Sequence, residues 1–140
     1  MPLLTGPELV AFLAQVFPQA RAQRFVIDEV RDAYVRFRYQ PTDDDLRPGA
    51  TISGPTLMAL SDTGMYLAVL AMIGPVALAV TTNLNINFLR KPSLGELSIE
   101  TTLLKLGKRL AVGEVSIRSA SALEGPVTHA TVTYSIPAVR

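Results

Sequence analysis

Hydrophobic positions change their spacing several times along the chain, and each change marks an expected element. Leu9, Val10, Leu13, Val16 and Phe17 recur at helical intervals, Pro7 suits a first helical turn and Pro18 ends the run, so residues 7–17 predict a short surface helix. Residues 25–39 are rich in β-branched and aromatic side chains. Val35, Phe37 and Tyr39 alternate there with Arg36 and Arg38, the period of a half-buried strand, which predicts a hairpin turning near Arg31-Asp32. Residues 41–50, PTDDDLRPGA, carry turn chemistry throughout. The adjacent Asp43, Asp44 and Asp45 lack the alternating ligand spacing of a calcium loop, so this segment reads as a solvated loop.

Residues 53–74 are apolar on almost every side, with Ser53 as a candidate N-cap, Pro55 inside the first turn and Gly74-Pro75 as the stop. Four runs with strand character follow, at 76–89, 96–106, 109–119 and 126–136, with turns at Gly107-Lys108 and at 122–125. In the first run Thr82, Leu84, Ile86 and Phe88 share one face, and Thr81, Asn83, Asn85 and Asn87 the other. The connections are too short for parallel neighbours, which need a crossover of about a dozen residues. The expected product is an α+β domain over residues 1–140, a long central helix wrapped by a curved antiparallel β-sheet.

Asp62 does not fit the long helix. A carboxylate in such apolar surroundings loses hydration worth several kcal/mol unless something compensates it. Two accounts are open from the residues alone. Asp62 bonds to Ser61, Thr63, Tyr66 or a neighbouring strand in a structural network, or it is retained for chemistry.

Composition narrows the setting. Hydrophobic residues make up 49% of the 140 residues and charged ones 18%, which suggests more buried surface than one subunit supplies and hence an obligate oligomer. A net charge of +1 offers no basic patch for nucleic acid or a membrane surface, so neither is an expected partner. Without cysteine there are no thiol nucleophiles, disulfides or thiolate metal sites, and a cytoplasmic location is expected. The N-terminal segment has no basic n-region and holds Glu8 within its apolar stretch, which fits a signal peptide poorly. The stretch from Met58 to Val80 has the length of a membrane span but contains Asp62 and the Gly74-Pro75 break. His129 is the only histidine and falls on the polar side of its strand, opposite Ala130, Val132 and Tyr134, so no metal site, triad or cofactor is expected around it.

Three segments, LMALSDTGM, AVTTNLNINFLRKPSLGEL and LLKLGKRLAVGEVSIR, together resemble the hotdog-fold thioesterases of the phenylacetate-degradation (PaaI-like) group. The resemblance implies a hotdog fold, hydrolysis of acyl-CoA thioesters, and a homodimer or homotetramer with active sites between subunits. That family opens its helix with His-Gly-Gly and places a catalytic carboxylate nine residues after the histidine. Ser53-Gly54-Pro55 occupies the cap here, and Asp62 lies nine residues beyond Ser53. By resemblance Asp62 is the general base or nucleophile, and the Gly54 N–H polarises the thioester carbonyl. The unpaired N–H groups and positive dipole of a helix start suit that second role on physical grounds. Thr81 matches a position whose hydroxyl holds water from the opposite subunit. Arg90, Lys91, Lys108 and Arg109 match turns that contact CoA phosphates, and Ser53 lies where the substrate binds. Two departures stand out, Ser53 and Pro55 in place of the motif histidine and second glycine, and Arg47 in place of a loop asparagine. They keep open a catalytically weak acyl-CoA or acyl-ligand binding protein. A hotdog dehydratase or hydratase and a plain structural oligomer are further alternatives.

Overall fold

A computed structural model of the chain describes residues 1–92, 94–120 and 125–138. Helix α1 (Gly6–Val16) opens with a reciprocal cap, in which Thr5 Oγ1 accepts from Glu8 N–H and the Glu8 carboxylate accepts from Thr5 N–H. Strands β1 (Phe25–Arg31) and β2 (Tyr34–Tyr39) form the expected hairpin. The following loop is more ordered than its turn chemistry suggests. It holds a 3₁₀ turn at Asp43–Asp45 and a two-residue ribbon of β3 (Leu46–Arg47) and β4 (Thr51–Ile52), which leads into helix α2 (Gly54–Ile73).

Strands β5 (Val80–Phe88), β6 (Leu97–Leu106), β7 (Leu110–Ser119) and β8 (Thr128–Ser135) complete the chain. The expected strand at 76–89 begins later than its composition implied, because residues after Gly74-Pro75 first turn, with Ala79 N–H donating to Val76 O at 3.2 Å. The turn expected at 122–125 lies outside the described residues except for Gly125. The six long strands form one antiparallel sheet in the order β1-β2-β6-β7-β8-β5, with β5 at an edge. Register shifts at Ile27/Glu29, Thr81/Asn83 and Leu103/Lys105 mark bulges, which bend strands and deepen twist.

The sheet curls around α2. By length and a mean hydropathy of 1.5, α2 could cross a membrane, but from Gly64 to Ala71 every residue is buried within the fold. Helix α1 contributes to the same core. Leu9 and Leu13 are fully covered, and the Phe17 ring meets Tyr66 of α2 edge-on at 5.3 Å. Only toward its N-terminus does α2 show exposed residues, at Pro55, Met58 and Ala59.

Close approach of helix and sheet depends on two glycines. A Cβ on Gly64 would lie 2.7 Å from Thr101 Oγ1 and 3.2 Å from an Ile99 methyl, and one on Gly113 would lie 2.7 Å from Met65 Sδ. Thr101 is fully buried and its hydroxyl has no partner among the described residues. Gly64→Ala is therefore expected to destabilise by about 1–3 kcal/mol through overpacking. Adding Thr101→Ala should recover part of that loss, since it removes the atom that the new methyl meets. Chemical denaturation of both variants at one protein concentration checks this, and additive losses would refute the contact as the cause.

Candidate active site

Asp62 faces an open cavity of about 280 Å³ rather than the closed core that its helix suggested, and it is only half-buried. Its compensation comes from two strands. Thr81 Oγ1 of β5 donates a hydrogen bond to Asp62 Oδ1, and Tyr134 of β8 donates to the same oxygen at 3.0 Å. The Tyr134 hydroxyl also lies 3.2 Å from the Asp62 carbonyl. Oδ2 has no hydrogen-bond partner among the described residues. Ser61 and Tyr66, two partners that the sequence left open, bond elsewhere, to the carbonyls of Leu57 and Ala77. The cavity beside the carboxylate is lined chiefly by apolar groups, including Leu13, Phe17, Ala59, Tyr66 and Ala79.

Strict alternation along β5 put Thr81 on the face of Asn83, Asn85 and Asn87. The bulge between Thr81 and Asn83 overturns that assignment, since one extra residue turns Thr81 inward on the side of Leu84 and Ile86. Its hydroxyl meets the carboxylate of its own chain. Tyr134 is the residue that sequence reasoning missed. The signal was present, because Tyr134 shares the inner face of β8 with Ala130 and Val132, and a buried phenol needs a partner. Burial, reinforced by the Asp62 charge, raises the Tyr134 pKa well above the usual phenol value, so Tyr134 acts as a donor.

Gly54 sits in a second cavity, of about 480 Å³, lined by Arg47, Gly54, Phe88, Arg90 and Lys91 among others. Ser53 caps α2, its Oγ accepting from Thr56 N–H at 3.2 Å. Pro55 has no N–H, and the Gly54 N–H has no acceptor among the described residues. One donor is thus left free at the positive end of a twenty-residue helix, beside three cationic side chains. Lys108 and Arg109 are exposed at the β6–β7 turn and line neither cavity. Gly54 and Asp62 are eight residues apart on α2, about 12 Å along its axis. Within one chain the residues singled out in the sequence are therefore dispersed, with Asp62 and Thr81 at one cavity, Ser53, Gly54, Arg90 and Lys91 at or next to the other, and Lys108 and Arg109 at neither.

Asp45 departs from the solvated loop expected of it, with 6% of its surface exposed. Its Oδ2 accepts from Tyr39 Oη at 2.9 Å and Thr42 N–H at 3.0 Å, its Oδ1 accepts from Thr56 Oγ1 at 3.2 Å, and Arg24 stands 3.8 Å away. His129 keeps to the outer face as expected, half-exposed and 3.3 Å from Glu114 of β7.

A long helix wrapped by a six-stranded antiparallel sheet is the hotdog arrangement. Residues 49–125 match the family model of the thioesterase superfamily, and the chain belongs to that superfamily. Among solved structures it is similar to a thioesterase candidate from Silicibacter sp. TM1040, with 42% identity over 98% of this chain and 94% of that one and a TM-score of 0.87. It shares its fold with a hypothetical thioesterase protein from Streptococcus pneumoniae TIGR4 solved with coenzyme A, at 22% identity over 95% and 97% of the two chains and a TM-score of 0.75. A mutant of the phenylacetic acid degradation protein PaaI from Thermus thermophilus has the fold too, at 21% identity over 86% and 99% and a TM-score of 0.73. A comparison with curated proteins finds no match.

Removing the Tyr134 hydroxyl tests the carboxylate's surroundings. Tyr134→Phe keeps the buried ring and is expected to cost about 1 kcal/mol, the worth of one internal hydrogen bond. A phenol whose pKa is raised by folding contributes stability that is complete below its unfolded value of about 10 and is lost as pH rises further. The wild type should therefore lose stability above pH 10 more steeply than Tyr134→Phe. Parallel alkaline limbs in urea titrations would contradict the assignment.

Proposed function

We propose that the protein is an acyl-CoA thioesterase, hydrolysing a small, medium-chain or aromatic acyl-CoA to the free acid and CoA as a homodimer or homotetramer with active sites between subunits. The observation that carries this reading is the placement on one helix of a carboxylate with a free oxygen and an N–H with no acceptor among the described residues. They lie about 12 Å apart, too far to act on one carbonyl within a chain. A second subunit supplies what is missing, if the Gly54 end of one α2 lies against the Asp62 cavity of another.

Two features support that assembly. Strand β5 has no neighbour on its outer side among the described strands, and Val80, Phe88 and Leu89 are exposed along and just beyond it. An unpaired edge with apolar side chains is a ready template for a second copy. Pro55, Met58 and Ala59, toward the N-terminus of α2, are exposed as well.

In the completed site the thioester carbonyl oxygen accepts from the Gly54 N–H of one chain, where the helix dipole favours the negative charge that develops on it. Asp62 of the other chain, its Oδ1 held by Thr81 and Tyr134, uses Oδ2 to take a proton from water as the water oxygen bonds to the carbonyl carbon. Collapse of the tetrahedral intermediate breaks the carbon–sulfur bond, and the CoA thiolate takes up a proton. Direct attack by Oδ2 would give a mixed anhydride that water then opens, with the same products. The apolar cavity beside Asp62 suits the acyl group. Arg47, Arg90 and Lys91 suit the CoA phosphates, with Lys108 and Arg109 as a further basic turn.

Asp62→Asn is expected to keep the fold and oligomer and to lower kcat by roughly 10²-fold or more, the scale of a lost general base. CoA release from hexanoyl-CoA and phenylacetyl-CoA, followed by thiol detection, measures it. Full activity in the folded variant would refute the role. Inactivity of the wild type against a broad acyl-CoA panel would instead favour the binding-protein reading, which Ser53 and Pro55 in the cap suggest.

Gly54→Pro deletes the proposed donor at a first helical position, where proline is accommodated, and its Cβ would meet only Phe88 ring carbons, at 3.6 Å and beyond. Each variant alone should be nearly inactive. Subunits of Asp62→Asn and Gly54→Pro refolded together should recover roughly a quarter of wild-type activity, since random pairing makes half the dimers mixed and each mixed dimer has one intact site. No recovery in demonstrably mixed dimers would contradict a site shared between chains.

A further inference from the structure

The start of α2 is held by a closed ring of hydrogen bonds that begins and ends at Asp45. The Asp45 carbonyl accepts from Ser53 N–H at 2.8 Å. Ser53 Oγ donates to Thr56 Oγ1 at 2.9 Å, and Thr56 Oγ1 donates in turn to Asp45 Oδ1 at 3.2 Å. Inside the ring Thr56 N–H donates to Ser53 Oγ at 3.2 Å. Among the described residues the Ser53 and Thr56 N–H groups and hydroxyls are thereby engaged and the Gly54 N–H is not, with Ser53 held at φ −69°, ψ 150°.

Asp45 is itself fixed from outside the ring. Tyr39 Oη and Thr42 N–H donate to Oδ2, while Arg24 and Arg21 lie within 3.8 and 4.0 Å of the carboxylate. Burial raises the pKa of Tyr39, which keeps it a donor. Three hydrogen bonds and two nearby cationic side chains thus converge on this one carboxylate. The charge has no part in the Asp62 cavity, and a carboxylate this deeply buried is costly unless it orders something.

We propose that Asp45 is a positioning residue, which acts through Thr56 and Ser53 to hold the Gly54 N–H free and aimed at the thioester carbonyl. The inference rests on the thioesterase reading for the destination of that N–H, while the ring makes its own prediction about the direction of the bond.

Thr56→Val keeps the shape of the side chain and breaks the ring at its centre, whereas Thr56→Ser keeps the hydroxyl. With hexanoyl-CoA as probe, Thr56→Val should lower kcat about 10-fold or more, with KM within about twofold, the signature of misdirected transition-state contacts. Thr56→Ser should recover most of that loss at a melting temperature no higher than that of Thr56→Val. Tyr39→Phe, distant in sequence, should lower kcat in the same direction by loosening Asp45. The residual dipolar coupling of the Gly54 N–H, referred to those of residues 64–71, gives the bond direction without any turnover. It should change in Thr56→Val and Tyr39→Phe and return toward the wild-type value in Thr56→Ser. If the wild type hydrolyses no acyl-CoA, the thioesterase reading fails, and the coupling alone judges the ring. An unchanged coupling in folded Thr56→Val and Tyr39→Phe overturns the proposal, as does wild-type kcat in both variants of an active protein.

Discussion

The fold depends on how closely α2 can lie against the sheet that wraps it. Gly64 sits over Thr101 and Ile99, and Gly113 sits under Met65, each with less room than a methyl group needs. Contact at that distance buries eight consecutive helical residues, Gly64 to Ala71, and fixes the rotation of the helix about its own axis. Asp62, two residues earlier, is turned about 200° from Gly64 and so points away from the middle of the sheet. Only because the sheet curls, with β8 and β5 coming round the side of the helix, do Tyr134 and Thr81 reach it. A flatter sheet would leave the carboxylate in solvent with no donors.

Asp62 and the start of α2, the two parts of the proposed site, are held by different means. Asp62 is set by tertiary packing, on a helix locked against the sheet and between two hydroxyls from separate strands. The start of α2 is tied by a local ring whose members span twelve residues, from Asp45 to Thr56, braced by Tyr39 and the arginines beyond it. Both arrangements leave one polar atom of the helix unused, an oxygen in one case and an N–H in the other. Partly buried groups are ordinarily paired, and these two atoms of opposite character on one helix have no partner among the described residues, which is why the proposed chemistry is placed on them.

Elements set by local patterning were legible in the sequence. The Ser53 cap, the stops of both helices, the β1–β2 hairpin and the antiparallel order of the late strands follow from Pro, Gly and Ser placement and from period-2 alternation, which act over a few residues, whereas the Thr5 cap of α1 was not read from the sequence. The thioesterase resemblance rests on three short segments, and the superfamily match over residues 49–125 agrees with it. The apolar excess and the misplaced Asp62 were visible for the same reason, since a charge in an apolar run is a feature of sequence order alone.

What only the tertiary structure decided concerns residues distant in sequence that meet through the curl of the sheet. Thr81 faces inward because a single-residue bulge breaks an alternation that otherwise continues, and no local signal at Thr82 announces it. Tyr134 lies 72 positions from Asp62 and meets it only when β8 bends round the helix. Asp45 resembled its neighbours Asp43 and Asp44 in a polar loop, and its burial follows from where Tyr39, Arg24 and Thr56 converge. Sequence order determined which groups were available and which of them a helix or strand would carry. Long-range packing determined which of those groups touch, because side-chain direction depends on bulges, curvature and helix rotation that are set by the whole core.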